Sequence, residues 1–233
     1  GPGGYILAGE VVLPPVIQGQ APEAIERAVA VLKGGGLVAF PTDTVYGVGA
    51  HAFLPQAVEL LYVAKERPHS KAIPLLLTTP DDLPSVAKDI PPVAWLLIEK
   101  FWPGGLTLVL PKRSAVPPVV SAGGPTVAIR VPDHPLALSL IQVLEAPLAA
   151  TSANLSGQPE CLSAQAVLKE LGPRVHLILD GGRCPGGIPS TVVDLTTHPP
   201  RILRHGAIPA EALTPLLPDL KLDNVKSSRR LEE

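Results

Sequence analysis

The feature that most restricts this chain is a repeated switch between helical hydrophobic spacing and short continuous apolar runs, with Pro or Gly at each change. After Pro22, the residues Ile25, Ala28, Val29 and Leu32 follow the i, i+3, i+4, i+7 spacing of an amphipathic helix, and Gly34 to Gly36 close it. The apolar run 37–40 then reads as a buried strand, broken at Pro41 before the polar turn Thr42-Asp43-Thr44. The same alternation predicts helices over 55–64, 91–101, 134–144 and 163–171. It predicts strands over 73–78, 106–110, 126–131, 148–151, 175–179, 191–195 and 201–204. Several strand-to-strand connections are too short for a crossover helix. The expected fold is therefore α/β, with a twisted open sheet of mixed direction and flanking helices.

At 233 residues and 46% hydrophobic, the chain can bury a sizeable core. One domain is expected over 20–212, with an N-terminal segment over 1–19 and a C-terminal helix or tail over 213–233. The opening GPGG, residues 1–4, resembles the scar of a cleaved tag. From Lys221 the stretch KLDNVKSSRRLEE loses periodicity and reads as a polar tail, whose Lys221, Lys226, Arg229 and Arg230 could touch RNA. The apolar runs PLLLTT and VAWLLI fall far short of the roughly 20 residues of a membrane span, and no signal-peptide pattern opens the chain, so a cytoplasmic protein without membrane contact is expected. A net charge of -2 argues against coating nucleic acid through global electrostatics but leaves room for a local basic cleft. With 3% aromatic residues, a broad base-stacking platform is disfavoured. Cys161 and Cys184 lack metal-ligand spacing and make no disulfide framework.

The polar residues that stand out follow predicted strands: Thr42, Asp43 and Thr44, then Arg130 and Asp133, then Thr151, Ser152 and Asn154. Ligands of open α/β sheets bind outside such strand ends. Lys65 and Arg67 at a helix end, the stretch DGGRCPGGIPST from Asp180, and Arg204 join them. Several cations beside small hydroxyls suit a polyphosphate and a small amino or carboxyl substrate. Simpler readings stay open. Lys65 and Arg67 could complement a helix dipole, Ser152 and Asn154 could form a cap or turn, and the DGG and PGG segments could be ordinary turns. Arg130 on an apolar strand needs a partner, for which Asp133 is one candidate. There is no GxxxxGK[ST] loop, GxGxxG, GxSxG or HExxH, so any nucleotide chemistry must use another phosphate cradle.

Seven stretches in order resemble the YrdC family of threonylcarbamoyl-AMP synthases: PTDTVYGVGAHA from Pro41, KERP from Lys65, FWPGGLTLVLP from Phe101, TVAIRVPDHP from Thr126, TSANLSG from Thr151, PSTVVDLT from Pro189 and ILRHGAI from Ile202. The resemblance implies a single α/β domain with a basic concave cleft. The family's KxR…SxN signature is matched by Lys65, Arg67, Ser152 and Asn154, which it implies are the catalytic set. It further implies ATP contacts from Lys65, Arg67, Thr126, Asn154 and Arg204, and threonine contacts from Thr44, Arg130, Ser152 and Ser190.

The implied substrates are ATP, L-threonine and bicarbonate, with Mg2+ carried on the ATP and no metal ligand from protein side chains. The implied product is an adenylate passed to a tRNA threonylcarbamoyl-transferase complex. The alternative of another class is a non-catalytic or weakly active paralogue that binds tRNA or double-stranded RNA. The chain departs from the family pattern at Lys71, where asparagine is common, and at Leu76, near a histidine associated with threonine. It departs again at Leu162 or Ser163, where a hydroxyl is often found, and at His205, where proline is usual.

Overall fold

A computed structural model of the chain describes residues 6–7 and 10–222. Its elements run β1 (Ile6–Leu7), β2 (Glu10–Val11), β3 (Val16–Gln18), α1 (Ala24–Lys33), β4 (Val38–Pro41), β5 (Tyr46–His51), α2 (Pro55–Lys65) and β6 (Leu75–Leu76). There follow α3 (Pro92–Phe101), β7 (Leu106–Pro111), β8 (Thr126–Arg130), α4 (Pro135–Leu144), β9 (Leu148–Ser152), α5 (Ala164–Leu171), β10 (Leu177–Asp180), β11 (Thr191–Asp194), β12 (Arg201–Arg204) and α6 (Ala210–Leu213). Ten of these strands form one open sheet in the order β12-β11-β7-β8-β6-β9-β5-β4-β10-β3. Pairs β3–β10, β4–β10, β6–β8 and β7–β11 are parallel, and the other neighbours are antiparallel. The sheet is mixed, as the short connections require.

Because side chains alternate along a strand, the sheet separates two cores. Leu37 and Ala39, Tyr46 and Val48, Leu106 and Leu108, and Val127 and Ile129 all point into the larger one, under α2, α3, α5 and α6. The alternate positions Val38 and Phe40 in β4, with Leu177 and Leu179 in β10, point into the smaller core under α1 and α4. On α1 the predicted stripe is the buried one: Ala24, Ala28, Val29 and Leu32 are buried, and Ile25 packs at the edge. Each fully buried leucine or valine contributes about 2 kcal/mol relative to exposure. Helices α1 and α4 are concentrated at the β4–β10 end, which leaves the rest of that face uncovered.

The structure corrects several expectations from the sequence. Strand β5, which follows the polar turn over 42–44, was not predicted because Gly47 and Gly49 weaken any strand pattern. Both glycines face the Phe40 ring, where an added Cβ would stand 3.2 Å away at Gly47 and 3.3 Å away at Gly49. The predicted strand over 73–78 contracts to Leu75–Leu76; Ile73 and Leu77 instead donate their amides to the carbonyls of Val120 and Arg130. Strand β3 carried too short a pattern to be read. Lys221, expected to begin a tail, forms a parallel bridge with Arg201. The tag-scar segment and the remaining tail residues lie outside the described residues.

His176 precedes β10 and accepts the Leu37 N–H at Nδ1 over 2.7 Å, while its buried Nε2 has no hydrogen-bond partner among the described residues. Burial pushes the imidazole down to about 4 from an ordinary 6.5. The unfolded chain therefore takes up a proton between those two values that the folded chain does not, so the contribution to stability is complete above about pH 6.5 and declines as the pH falls towards 4. The expected loss is on the order of 2 kcal/mol. Urea unfolding across this range should show it. His176→Asn, which keeps an acceptor for Leu37, should flatten the slope, and an unchanged slope would exclude His176 as its source.

Candidate active site

The uncovered face of the sheet is the floor of a cavity of about 450 Å³. Gly47, Thr107, Ala128, Ala150 and Val192 lie on this floor, each next in sequence to a residue of the larger core. Period-two alternation thus puts bulky groups below the sheet and small groups above it, where a ligand needs room. Residues 42–45, 152–160 and 187–190 form the walls, as loops at or near strand ends.

Four cations reach this space: Lys65, Arg67, Arg130 and Arg204. Lys65 is the last residue of α2, and Glu66 follows in the left-handed conformation at φ 52°. Its side chain turns inward, is 2% exposed, and donates to Thr151 Oγ1. Arg67 donates from Nε to the Lys71 carbonyl at 3.2 Å and from Nη2 to the Ala72 carbonyl at 2.8 Å. Both therefore make contacts beyond the end of α2, in whose last turn Lys65 stands. Arg204 donates from Nε and Nη2 to the Ser190 carbonyl at 3.0 and 2.8 Å, and from Nη2 to Ser190 Oγ at 2.9 Å.

Arg130 ends β8 on the cavity side, and its partner is Asp43, not Asp133. Nη1 donates to both Asp43 carboxylate oxygens, at 3.0 and 3.1 Å, and to the Gly104 carbonyl at 3.1 Å. Asp43 comes from the turn between β4 and β5, brought in by sheet pairing across 87 residues of sequence. Adjacency in the sequence favoured the wrong carboxylate.

Thr44, Ser152, Asn154 and Ser190 also line the cavity. Thr44 Oγ1 lies 3.2 Å from Thr42 Oγ1, and its carbonyl accepts the Gly186 N–H at 2.8 Å, tying the first wall to the glycine-rich one. Ser152 closes β9 opposite Gly47. Asn154 Nδ2 donates to the carbonyls of Leu155 and Gln158, both at 2.9 Å, while its buried Oδ1 has no partner among the described residues. Ser152 and Asn154 are therefore a strand end and a loop anchor rather than a helix cap. Thr126 shares the face of Ala128 and Arg130 but stands at the far end of β8, outside the residues that line the cavity.

Of the departures, Leu76 lines the cavity, Lys71 offers its carbonyl to Arg67, and Ser163 caps α5 by accepting the Ala166 N–H. Sequence reasoning passed over Tyr46 and Thr107. The Tyr46 hydroxyl donates to the Gly182 carbonyl at 2.6 Å and accepts the Gly181 N–H at 3.1 Å, so it pins the start of the glycine-rich wall. Burial pushes this phenol up to about 12, which keeps it protonated. Burial also pushes the Cys161 thiol up to about 11 and the free Cys184 thiol upward, so neither is a thiolate nucleophile near neutral pH. Among the described residues no group of three or more His, Cys, Asp or Glu side chains could hold a metal ion. No helix among them is long and apolar enough to cross a membrane.

The Sua5/YciO/YrdC family model, described as telomere recombination, matches residues 30–206. The chain belongs to the Sua5/YciO/YrdC family. This Sua5/YciO/YrdC chain is 43% identical over 198 residues to the threonylcarbamoyl-AMP synthase of Pyrococcus abyssi. It is 42% identical over 200 residues to that of Bacillus subtilis. Each comparison takes in 85% of this chain and 58% of the relative, so the chain spans well under two thirds of the length of either. The crystal structure of P. abyssi Sua5 complexed with L-threonine superposes with a TM-score of 0.83 at 40% identity, covering 92% of this chain and 62% of that one.

The Asp43–Arg130 pair, with side chains 20% and 13% exposed, is sheltered enough for its loss to be felt. Asp43→Ala should lower stability by about 2 kcal/mol because it strands a guanidinium. Adding Arg130→Gln to Asp43→Ala should recover part of that loss in a chemical-denaturation cycle; strictly additive losses would mean that the pair is not coupled.

Proposed function

We propose that this chain is an L-threonylcarbamoyladenylate synthase, which forms threonylcarbamoyl-AMP and pyrophosphate from L-threonine, bicarbonate and ATP. The observation that carries the reading is the convergence of Lys65, Arg67, Arg130 and Arg204 with Thr44, Ser152, Asn154 and Ser190 around one cavity. The names of the P. abyssi and B. subtilis relatives and the threonine complex of P. abyssi Sua5 support it.

The Asp43 contacts all fall on Arg130 Nη1, so the Nε and Nη2 side of the fork suits the threonine carboxylate. Thr44, Ser152 and Ser190 would fix the rest of that small polar substrate. The threonine amine adds to the bicarbonate carbon with loss of water, giving a carbamate. A carbamate oxygen then attacks the α-phosphorus of ATP, and the bond to the bridging oxygen of the β-phosphate breaks to release pyrophosphate. No protein nucleophile is needed. Lys65, Arg67 and Arg204 would hold the phosphates in line and stabilise the charge that develops on them, while Asn154 anchors the adjoining wall. Mg2+ enters with ATP as part of the substrate. Thr126, on the same face of β8 as Ala128 and Arg130, would add an ATP contact at the edge of the cavity. The product is a labile mixed anhydride suited to direct use by a tRNA threonylcarbamoyl-transferase complex in the cytoplasm.

Pyrophosphate release should require ATP, threonine and bicarbonate together, and release that persists without threonine would sink the reading. Lys65→Met and Arg67→Ala should each lower the rate by about 100-fold or more while circular dichroism stays native. Wild-type turnover in both would remove this cavity as the reaction site.

A further inference from the structure

Strand β7 reads Leu-Thr-Leu-Val-Leu-Pro, with Leu106, Leu108 and Leu110 in the larger core and Thr107 on the cavity floor. Valine is threonine's isostere and an equally good strand residue, so folding does not require the Thr107 hydroxyl. Yet the residue is only 5% exposed, and a buried hydroxyl is costly unless bonded. Its partner is Ser190 Oγ at 2.7 Å, on a residue itself 8% exposed. Ser190 Oγ also accepts from Arg204 Nη2 at 2.9 Å.

Counting hydrogens shows what this arrangement presents. The two hydroxyls carry two hydrogens, and one of them is used between the oxygens. If Thr107 donates, both lone pairs of Ser190 Oγ are filled, one by Thr107 and one by Arg204, and the Ser190 hydrogen is left over. Two donors onto one oxygen polarise its own O–H and make it a stronger donor. Either hydroxyl could be the donor between them, and an anion beside Ser190 selects the arrangement in which Thr107 donates and no described residue accepts the Ser190 hydrogen; both residues line the cavity. The leftover hydrogen suits an anionic oxygen of the ligand.

The geometry points to Thr107 as the positioning residue that fixes the Ser190 hydroxyl to donate to the carboxylate of the bound amino acid. This rests on the proposed placement of threonine beside Ser190. Thr107 acts through Ser190 and touches no reacting atom, so its loss weakens amino-acid binding and leaves the nucleotide side and the chemical step alone. What Thr107 adds over valine is the hydroxyl, in a position whose packing a valine would satisfy.

Thr107→Val should raise the KM for threonine about tenfold, with kcat and the KM for ATP within about twofold, and Thr107→Ser should stay within about twofold of wild type throughout. In a Ser190→Ala background, adding Thr107→Val should change the threonine KM by less than about twofold. Calorimetric titration of L-threonine into each variant reads the same contact without turnover. Wild-type threonine affinity in Thr107→Val overturns the inference, as does a full tenfold loss in the Ser190→Ala background or a Thr107→Ser variant as poor as Thr107→Val. A wild-type protein that binds threonine in this pattern but releases no pyrophosphate would sink the proposed reaction and uphold the role of Thr107. A wild type that binds no threonine overturns both.

Discussion

The constraint on which the rest depends is the alternation of side chains along strands whose two faces meet different surroundings. Below the sheet, four helices demand bulk, and Leu106, Leu108, Val127, Ile129 and Val193 supply it. Above it, α1 and α4 cover only one end, and the same strands there carry Thr107, Ala128, Arg130 and Val192. A one-residue slip of β8 would exchange Arg130 with Ile129, burying a cation in the apolar core and closing the cavity. Core packing and the register of the site are therefore one constraint, and the large core holds the small polar floor in place.

Polar groups on this face are expensive, and the structure answers that cost with specific contacts. Lys65, Arg67 and Arg204 donate to hydroxyl or carbonyl oxygens, which orient these cations. Arg130 is held by a carboxylate on one side of its fork. Orienting contacts of this kind suit the binding of anions, because the donors do not have to reorganise when charge arrives.

The walls are joined as firmly as the floor. Tyr46 lies in β5, receives support from the Cys161 carbonyl, gives its own carbonyl to Ala153, and pins Gly181 and Gly182 through its hydroxyl. Tyr46 thus ties two cavity walls to β5, the loop after β9 through its backbone and the glycine-rich loop through its hydroxyl, and the Thr44–Gly186 bond adds a further tie. Glycine suits the turn at this tie, where Gly186 and Gly187 adopt φ of 74° and 100°.

Read alone, the sequence determined the fold class and most of the elements, and it singled out Lys65, Arg67, Arg130, Ser152, Asn154, Ser190 and Arg204 among the residues that line the cavity. Each of these is written in local periodicity, in Pro and Gly punctuation, or in ordered motifs such as KERP and TSAN. The helix of Ile25, Ala28, Val29 and Leu32 was legible because 3.6-residue spacing is a local signal. Tyr46–His51 was not, because Gly47 and Gly49 make sense as strand residues only once the Phe40 ring lies against them. Tertiary structure alone decided that Arg130 pairs with Asp43, that Lys65 turns inward to Thr151, that Thr126 falls outside the lining, and that Thr107 meets Ser190. Those partners are 83 to 87 residues apart in the chain, and only strand order and register bring them within hydrogen-bonding distance.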